Sequence, residues 1–379
     1  MADFWQGEIP TLHRLTDQSF VALEQRLVNS DRPITLLLPC HAREISTSAF
    51  GSILDELKSA SWLRRIVIGL DQADAAEHLK LQSLVQGFAM EVCILWLNGP
   101  EWSDRLERIP VQIPSTGKGR NVWLSLGWIL DQPQVDVIAL HDCDIHPYDR
   151  ELLVRLVAPV AFSEFGFEFS KGYYARFTDR LHGRLTRLLF QPLLATLLEA
   201  HPGHAVLRRL QAFRYPLSGE VAMTATVARK MRIAPGWGLE TSMLAELFRL
   251  LPVEKICQVD LCARYDHRHR PLEASEAGLP GLEEPSIEVM RALLAIAGDN
   301  LEAAELSAKF LHHASIALRR SRMVATMNGL NIDVEQEGKA VEIFSQMLQQ
   351  ILSHPSSNEA LVNLPSWEGL NLEKPFRLP

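Results

Sequence analysis

Five cysteines in 379 residues are few, and they are scattered. Cys40, Cys93, Cys143, Cys257 and Cys262 are odd in number and form no CxxC pair, which argues against a disulfide framework or a structural zinc ribbon and for reduced core thiols. No apolar run is long enough to cross a bilayer. The most apolar segment, Leu185 to Leu198, is interrupted by Thr186, Arg187 and Gln191 and reads as a buried helix kinked at Pro192. The N-terminus, Met1-Ala2-Asp3-Phe4-Trp5-Gln6-Gly7-Glu8, has no apolar h-region, so a cytoplasmic chain is expected. Basic tracts are missing too. The net charge is −8, which disfavours a nucleic-acid partner. No GxGxxG follows the first strand, so a dinucleotide cofactor is a weak reading, and no Walker motif or nucleophile elbow occurs. There is no internal repeat and no low-complexity tract.

What is present is an ordinary globular composition, 47% apolar and 22% charged, long enough for one large α/β domain and a smaller second unit. Short apolar runs alternate with helical patterns through the first half. Strands are expected at Ile34–Leu38, Arg65–Leu70, Glu91–Trp96 and Asp136–Leu140, with helices at about Ser46–Ser59, Ala73–Phe88 and Arg120–Leu130. Continuous apolar strands separated by helices predict a mostly parallel sheet covered on both faces, a Rossmann-like architecture. From Phe162 to Arg176 the pattern turns aromatic and strand-like. Helices are expected at about Asp179–Ala200 and Glu240–Leu250, then a late strand over Glu254–Ala263. Glu273–Pro285 reads as a linker, followed by helices at about Ser286–Ala297, Asn300–Arg319 and Val334–Ser353 and a polar tail. The expected division is a domain over 1–280, with a nucleotide-binding half at about 33–145 and an acceptor half at about 146–280, and a helical C-terminal region over 281–379.

The chemistry gathers at His141-Asp142-Cys143-Asp144-Ile145, directly after the Asp136–Leu140 strand. Open α/β sheets bind ligands at the carboxyl ends of their strands. Carboxylates at i and i+2 lie on one side of an extended chain, so Asp142 and Asp144 can share a cation, and oxygen donors suit Mg²⁺ or Mn²⁺ carrying a nucleotide diphosphate. A solvated acidic turn is the alternative. His141 and His146 offer a rival, zinc-like reading. Lys118-Gly119-Arg120 opens a helix and could meet a phosphate beside free backbone N–H groups, or be a plain turn lysine. His267, at the end of the late strand, could complete a metal shell, although Asp266–Arg270 also reads as a charged loop. Pro216–Glu220 and Ala234–Glu240 are Pro/Gly turns ending in an acid before an expected helix, which fits helix capping or close approach to a sugar. Gly183-Arg184-Leu185-Thr186 sits near a helix start and could hold an anion.

Taken in order from Thr35 to Leu272, these segments resemble a retaining GT-A glycosyltransferase, particularly the glucosyl-3-phosphoglycerate synthases and their mannosyl relatives. The likeness rests on Pro39–Glu44, Lys118-Gly119, Asp142-Cys143-Asp144, Lys171–Arg176, Gly183–Thr186, Pro216–Glu220, Pro235–Glu240, and Gln258–Leu261 followed by His267–Leu272. It implies a nucleotide-sugar donor, a UDP- or GDP-hexose, lined by Pro39, Glu44, Asp71, Leu217 and Gly219, with Lys118 and Gly119 at the diphosphate. It implies metal ligation by Asp144 and His267 with Asp142 alongside, and donor-sugar hydroxyls held by Glu240. Gly183, Arg184, Thr186 and position 269 would meet a small hydroxy acid such as 3-phosphoglycerate or glycerate. Asp142, Asp144, Lys118 and Glu240 form the implied catalytic set, and a homodimer is compatible. The sequence departs from the family where Ala42-Arg43-Glu44 replaces Asn-Glu-Glu, where Leu70–Asp74 replaces Asp-Gly-Ser-x-Asp, and where His269 replaces an acceptor-site asparagine. A non-catalytic relative whose helical C-terminus binds a partner, and a transferase using another sugar or a lipid or polymer acceptor, are the competing readings. The intact Asp142, Asp144, Lys118 and His267 favour catalysis, and the lack of a basic amphipathic helix disfavours lipid.

Overall fold

The computed structural model describes residues 6–16, 19–262, 266–267, 281–298, 303–354, 363–370, 372 and 376. The strands among them are β1 (Thr11–Leu12), β2 (Ile34–His41), β3 (Leu63–Asp71), β4 (Glu91–Trp96), β5 (Val137–Leu140), β6 (Ile145–His146), β7 (Phe169–Tyr173), β8 (Val221–Thr224), β9 (Ile256–Asp260) and β10 (Asp266–His267). Eight form one sheet in the order β1-β9-β7-β8-β5-β2-β3-β4, and β6 pairs with β10 in a separate antiparallel ribbon. All the sheet's pairings are parallel except those of β8, which runs antiparallel to both β5 and β7. The helices are α1 (Ser19–Val28), α2 (Ser48–Leu57), α3 (Ala75–Leu84), α4 (Pro100–Glu107), α5 (Lys118–Leu130), α6 (Arg150–Ala161), α7 (Gln191–Ala200), α8 (Ala205–Gln211), α9 (Ala225–Lys230), α10 (Leu239–Leu250), α11 (Glu283–Ala297), α12 (Ala303–Met327), α13 (Val334–Ser353) and α14 (Trp367–Leu370). None is both long and apolar enough to cross a membrane.

The expected α/β sheet is therefore present, and its central strands are apolar at almost every position because both faces are covered. Alternate residues feed two cores. Leu37, Val67 and Ile138 point to one, and Leu36, Ile66 and Val137 to the other. β2 and β3 run beyond their expected ends, since the ladder pairs Cys40 with Leu70 and His41 with Asp71. That carries Asp71 and the 3₁₀ turn Ala42–Ser46 to the carboxyl edge of the sheet.

Several elements differ from expectation. β8 and α6 were not foreseen. A four-residue apolar run has no readable period, and α6 is buried around nearly its whole circumference, so no amphipathic stripe marks it. The helix expected at about 179–200 is divided. A small hairpin comes first, with the His182 N–H donating to the Arg176 carbonyl at 3.0 Å. A π-helical turn follows at Leu185–Phe190, where the Gln191 N–H reaches back to the Thr186 carbonyl. Pro192 then occupies the first turn of α7, where its missing N–H is harmless. Pi-helical turns of this kind recur at functional sites.

The C-terminal helices do not stand apart. Val289, Phe310 and Phe344 share the first core with Leu37 and Val67, on the side covered by α5, α7 and α10. The tail, read as polar, supplies buried aromatics instead. Trp367 stacks on Trp123 of α5 at 4.1 Å between ring centroids, and Phe376 packs against Trp102 and Trp367. Each indole also donates across the contact, Trp123 to the Pro365 carbonyl at 2.7 Å and Trp367 to the Trp123 carbonyl at 2.9 Å. One tryptophan and one phenylalanine in a polar stretch carry no periodic signal.

Candidate active site

Asp142 and Asp144 emerge just past β5 at the carboxyl edge of the sheet, next to the β8 strand that reverses direction. Asp144 is surrounded by like charge. Burial first, then the Asp142, Glu44 and Glu220 carboxylates, push its pKa up to about 7, and the Lys118 ammonium only partly offsets them. Glu44 arrives on the Ala42–Ser46 turn and Glu220 immediately before β8. The Tyr174 hydroxyl donates to Glu220 at 2.7 Å. A buried surplus of carboxylate oxygens is the environment a hard divalent cation relieves. The β6–β10 ribbon sets His267 opposite Ile145, one residue from Asp144. The side chain of His267, and all of His269, lie outside the described residues. Among the described residues no three metal-binding side chains converge.

Lys118 is the first residue of α5. Its Nζ lies 2.7 Å from Asp142 Oδ1 and 2.9 Å from Glu240 Oε1. Burial opposes the charge, but the two carboxylates outweigh it and raise the lysine pKa, so the ammonium is fixed. Glu240 sits in the first turn of α10. One motif from each of three distant segments thus meets at a single nitrogen.

The backbone N–H groups expected to be free beside Lys118 are not. The Gly119 N–H donates to the Gly236 carbonyl at 3.3 Å and the Arg120 N–H to the Pro235 carbonyl at 2.5 Å. A Cβ on Gly119 would collide with the Ala234 carbonyl, so this glycine permits close packing of α5 on the 234–238 loop. The zinc-like reading is also corrected. His141 is fully buried, its Nδ1–H donates to the Asp142 carbonyl at 2.9 Å, Nε2 accepts from Tyr148 at 3.0 Å, and burial lowers its pKa to about 4. Glu220 precedes a strand rather than a helix, so it is no helix cap.

The Pro216–Glu220 turn presses on the aspartates. A Cβ on Gly219 would lie 2.6 Å from Asp142 Oδ1. Leu217 is partly buried against the core. Ser218 beside it accepts from the Lys171 ammonium through both its carbonyl and its hydroxyl, and donates to the Gly172 carbonyl at 2.7 Å. Lys171 is 1% exposed in the middle of β7, and burial lowers its pKa to about 8 against the pull of Glu220 and Glu240. Sequence reading quoted this lysine without giving it a role, yet a lysine inside Phe-Ser-Lys-Gly-Tyr was the available signal. Pro39 lies in β2 opposite Gly69, and Asp71 ends β3. Asp71 is buried, accepts the Gln72 N–H at 3.0 Å and pairs with the Arg120 guanidinium at 3.3 Å, a partner not anticipated.

Gly183, Arg184 and Thr186 lie where the hairpin meets the π-helical turn. Gly183 has φ +69°, beside the Tyr215 ring. Arg184 is surrounded by cations. Burial lowers its pKa, the Glu337 carboxylate opposes this, and Arg187, Arg180 and Arg176 lower it further. Asp179 pairs with Arg180 at 3.0 Å and Glu337 with Arg187 at 2.6 Å. Arg176, Arg180, Arg184 and Arg187 together form a basic patch suited to a multiply charged anion. Of the four, the sequence motifs give a role to Arg184 alone, with Arg176 present in the Lys171–Arg176 segment without one. Arg187 was taken for an interruption in an apolar helix.

No protein-family model matches the chain. It is 38% identical over 362 residues to the glucosyl-3-phosphoglycerate synthase of Persephonella marina, covering 92% of this chain and 89% of that one. The enzyme of the same name from Methanococcoides burtonii is 28% identical, covering 96% and 93%. In fold the chain is similar to the Mycobacterium tuberculosis glucosyl-3-phosphoglycerate synthase solved with Mn²⁺, UDP-glucose and phosphoglyceric acid, at TM-score 0.57 and 24% identity, covering 78% of this chain and 89% of that one.

Proposed function

The chain belongs to the glucosyl-3-phosphoglycerate synthase family of glycosyltransferases, and on that premise we propose that it moves glucose from UDP-glucose to 3-phosphoglycerate at the Asp142–Lys118–Arg184 site, with a divalent cation. The observation that carries the reading is that a carboxylate-rich cluster around Asp144 joins an arginine-rich cluster around Arg184 through two tyrosines, Tyr174 bonded to Glu220 and in ring contact with Tyr215, which accepts from Arg176. The first suits a cation with a nucleotide diphosphate, the second an anionic acceptor. Asp142 and Asp144 would hold the cation with His267. When bound, the cation supplies Lewis-acid stabilisation to the departing diphosphate.

The residues divide the work. Lys118, kept protonated by Asp142 and Glu240, faces the negative charge that grows on the leaving phosphate and stabilises it more than the ground state. Glu240, at the start of α10, would hold donor-sugar hydroxyls. Pro39, Glu44, Asp71 and the Leu217–Gly219 turn would line the nucleoside side, with Gly119 setting the approach of α5. Arg184 presents a planar fork to the acceptor's phosphate or carboxylate, with Thr186 and the backbone of Gly183 alongside. We favour same-face attack by the acceptor hydroxyl, its proton leaving with the phosphate.

The nucleotide in the tuberculosis structure is uridine-based, which supports UDP over GDP as the donor base. The tuberculosis structure holds phosphoglyceric acid, which supports 3-phosphoglycerate, a trianion near neutrality, over glycerate. The cytoplasmic homodimer expected from sequence belongs to the same proposal, to be tested by light scattering and fractionation. The central experiment offers UDP-glucose or GDP-glucose with 3-phosphoglycerate or glycerate, with Mn²⁺ or chelator, and reads the anomeric configuration of the product by NMR. An α-linked glucosyl product from UDP-glucose and 3-phosphoglycerate, absent in chelator, is expected. Faster transfer from GDP-glucose or to glycerate would overturn the substrate assignment.

A further inference from the structure

The C-terminal helices reach each substrate half of the site through one acid, the buried Glu337 and the half-buried Glu288. Glu337 on α13 is 5% exposed and holds Arg187 by two contacts, 2.6 and 3.4 Å. The same guanidinium donates to Ser321 on α12 at 2.7 Å and to the His182 carbonyl at 2.8 Å. Asn331, between α12 and α13, closes the other side of the hairpin, donating to the Asp179 carbonyl at 2.7 Å and to its carboxylate at 3.3 Å. The backbone bearing Gly183 and Arg184 is thus gripped on both sides of the left-handed glycine. A π-helical turn has poor intrinsic stability, so these external bonds hold it.

Glu288 on α11 acts on the other half. Its carboxylate accepts the Trp237 N–H and lies where a Cβ on Gly236 would overlap it. Burial raises its pKa against the pull of the Trp237 and Gly238 N–H groups. It therefore stands at the amino end of α10, whose first turn carries Glu240, and on the loop whose carbonyls receive the first N–H groups of α5. A carboxylate at a helix amino end satisfies orphan donors and the helix dipole together.

We infer that Glu337 and Glu288 are positioning residues, Glu337 for the acceptor site through Arg187 and Glu288 for the donor site through the Gly236–Glu240 turn, so that the C-terminal helices form the outer frame of both sites. The inference rests on the acceptor and donor assignments proposed above. Neither acid is placed to touch a substrate. Each fixes the backbone under a residue that does, and their substitutions act on different kinetic constants.

The test compares Glu337→Gln, Glu288→Gln, Glu288→Ala and Arg184→Lys in the full chain. Each is followed by steady-state kinetics with UDP-glucose and 3-phosphoglycerate varied in turn, and by thermal unfolding. Gln at 337 cannot bridge both guanidinium nitrogens, so acceptor KM should rise at least about fivefold with donor KM within about twofold. Glu288→Ala should lower kcat or raise donor KM at least about fivefold with acceptor KM within about twofold, and Glu288→Gln, which keeps one acceptor oxygen, should recover part of the loss. Adding Glu337→Gln to Arg187→Met should cost nothing further, as two members of one link. Parallel changes in both KM values that follow the loss of melting temperature would overturn the inference, as would no change in either. Arg184→Lys separates the two levels. If it leaves acceptor KM unchanged, the acceptor assignment fails. If it raises acceptor KM while Glu337→Gln does not, only the present inference fails.

Discussion

The two halves of the site are built with opposite charge and on different supports. Around Asp144 the side chains are mostly acids, set at strand ends, on the Ala42–Ser46 turn and on the first turn of α10, with the Lys118 and Lys171 ammonium groups between them. Around Arg184 they are mostly arginines, set on a hairpin and a π-helical turn that bond to α12 and α13. The sheet itself holds the acidic half, because β2, β3 and β5 end together at one edge. The basic half has no such support and takes its order from the C-terminal helices. A hard cation needs oxygens whose positions hardly move, and a strand end provides that. A small anion needs several N–H forks brought to it, and a loop held by tertiary bonds does this with more freedom to vary.

If the acidic half is the reaction centre, its substitutions should have the largest effects. Asp144→Asn should lower kcat/KM by about a thousandfold or more, since charge stabilisation at a reacting centre accounts for several kcal/mol. Turnover measured across a Mn²⁺ titration checks this, and recovery at high Mn²⁺ would demote Asp144 to a weak ligand. Lys118→Ala should cost at least about tenfold in kcat, roughly 1.4 kcal/mol of transition-state stabilisation. A parental rate would leave the lysine as a buried structural charge that only joins Asp142 to Glu240.

The halves also differ in how far sequence revealed them. The acidic half was largely legible. Apolar strands with the period of a covered sheet end in Asp71, Asp142 and the Pro39–Glu44 turn, and Lys118 stands beside a glycine at a helix start. Lys171 and Glu220 stand in visible motifs but without these roles, because they are buried polar groups satisfied by Ser218 and Tyr174, partners that no spacing rule identifies. The basic half was legible only at Gly183–Thr186. Arg187 and Glu337 lie 150 residues apart in the chain, and their pairing is tertiary. The C-terminal frame was hidden for the same reason. Glu288 reads as one acid on an amphipathic helix and Trp367 as one aromatic in a polar tail, and only packing gives either a partner.

Within the basic half a smaller effect, confined to one substrate, is expected. Arg184→Lys keeps the charge and loses the fork, so acceptor KM should rise about fivefold to tenfold with donor affinity nearly unchanged, a difference of roughly 1 kcal/mol. Calorimetry with UDP and kinetics with 3-phosphoglycerate varied separate the two. Collapse of UDP affinity with acceptor KM unchanged would move Arg184 to the donor side and dissolve the distinction between the halves.

The smallest effect is on stability, and it sets the halves apart by pH. Asp144 has its pKa raised from 3.8 to about 7, first by burial and then by Asp142, Glu44 and Glu220. A carboxyl whose folded pKa lies above its unfolded value binds more protons when folded, so stability falls as pH rises from about 4 to about 7, and the whole cost is present above that. A divalent cation binds the carboxylate and offsets the cost, so Mn²⁺ should raise the melting temperature clearly at pH 8 and hardly at pH 5. Asp144→Asn removes the buried charge. The inactive variant should therefore be more stable than the parent without metal at pH 8, with the advantage fading toward pH 4 and the Mn²⁺ response gone. Arginine does not titrate in this range, so the basic half adds nothing to the parental pH dependence, and Arg184→Lys serves as the comparison. Thermal unfolding of the three proteins from pH 5 to pH 8 decides the matter. An Asp144→Asn protein less stable than the parent at pH 8 would mean that the acidic cluster is already balanced by its lysines and has no need of a cation.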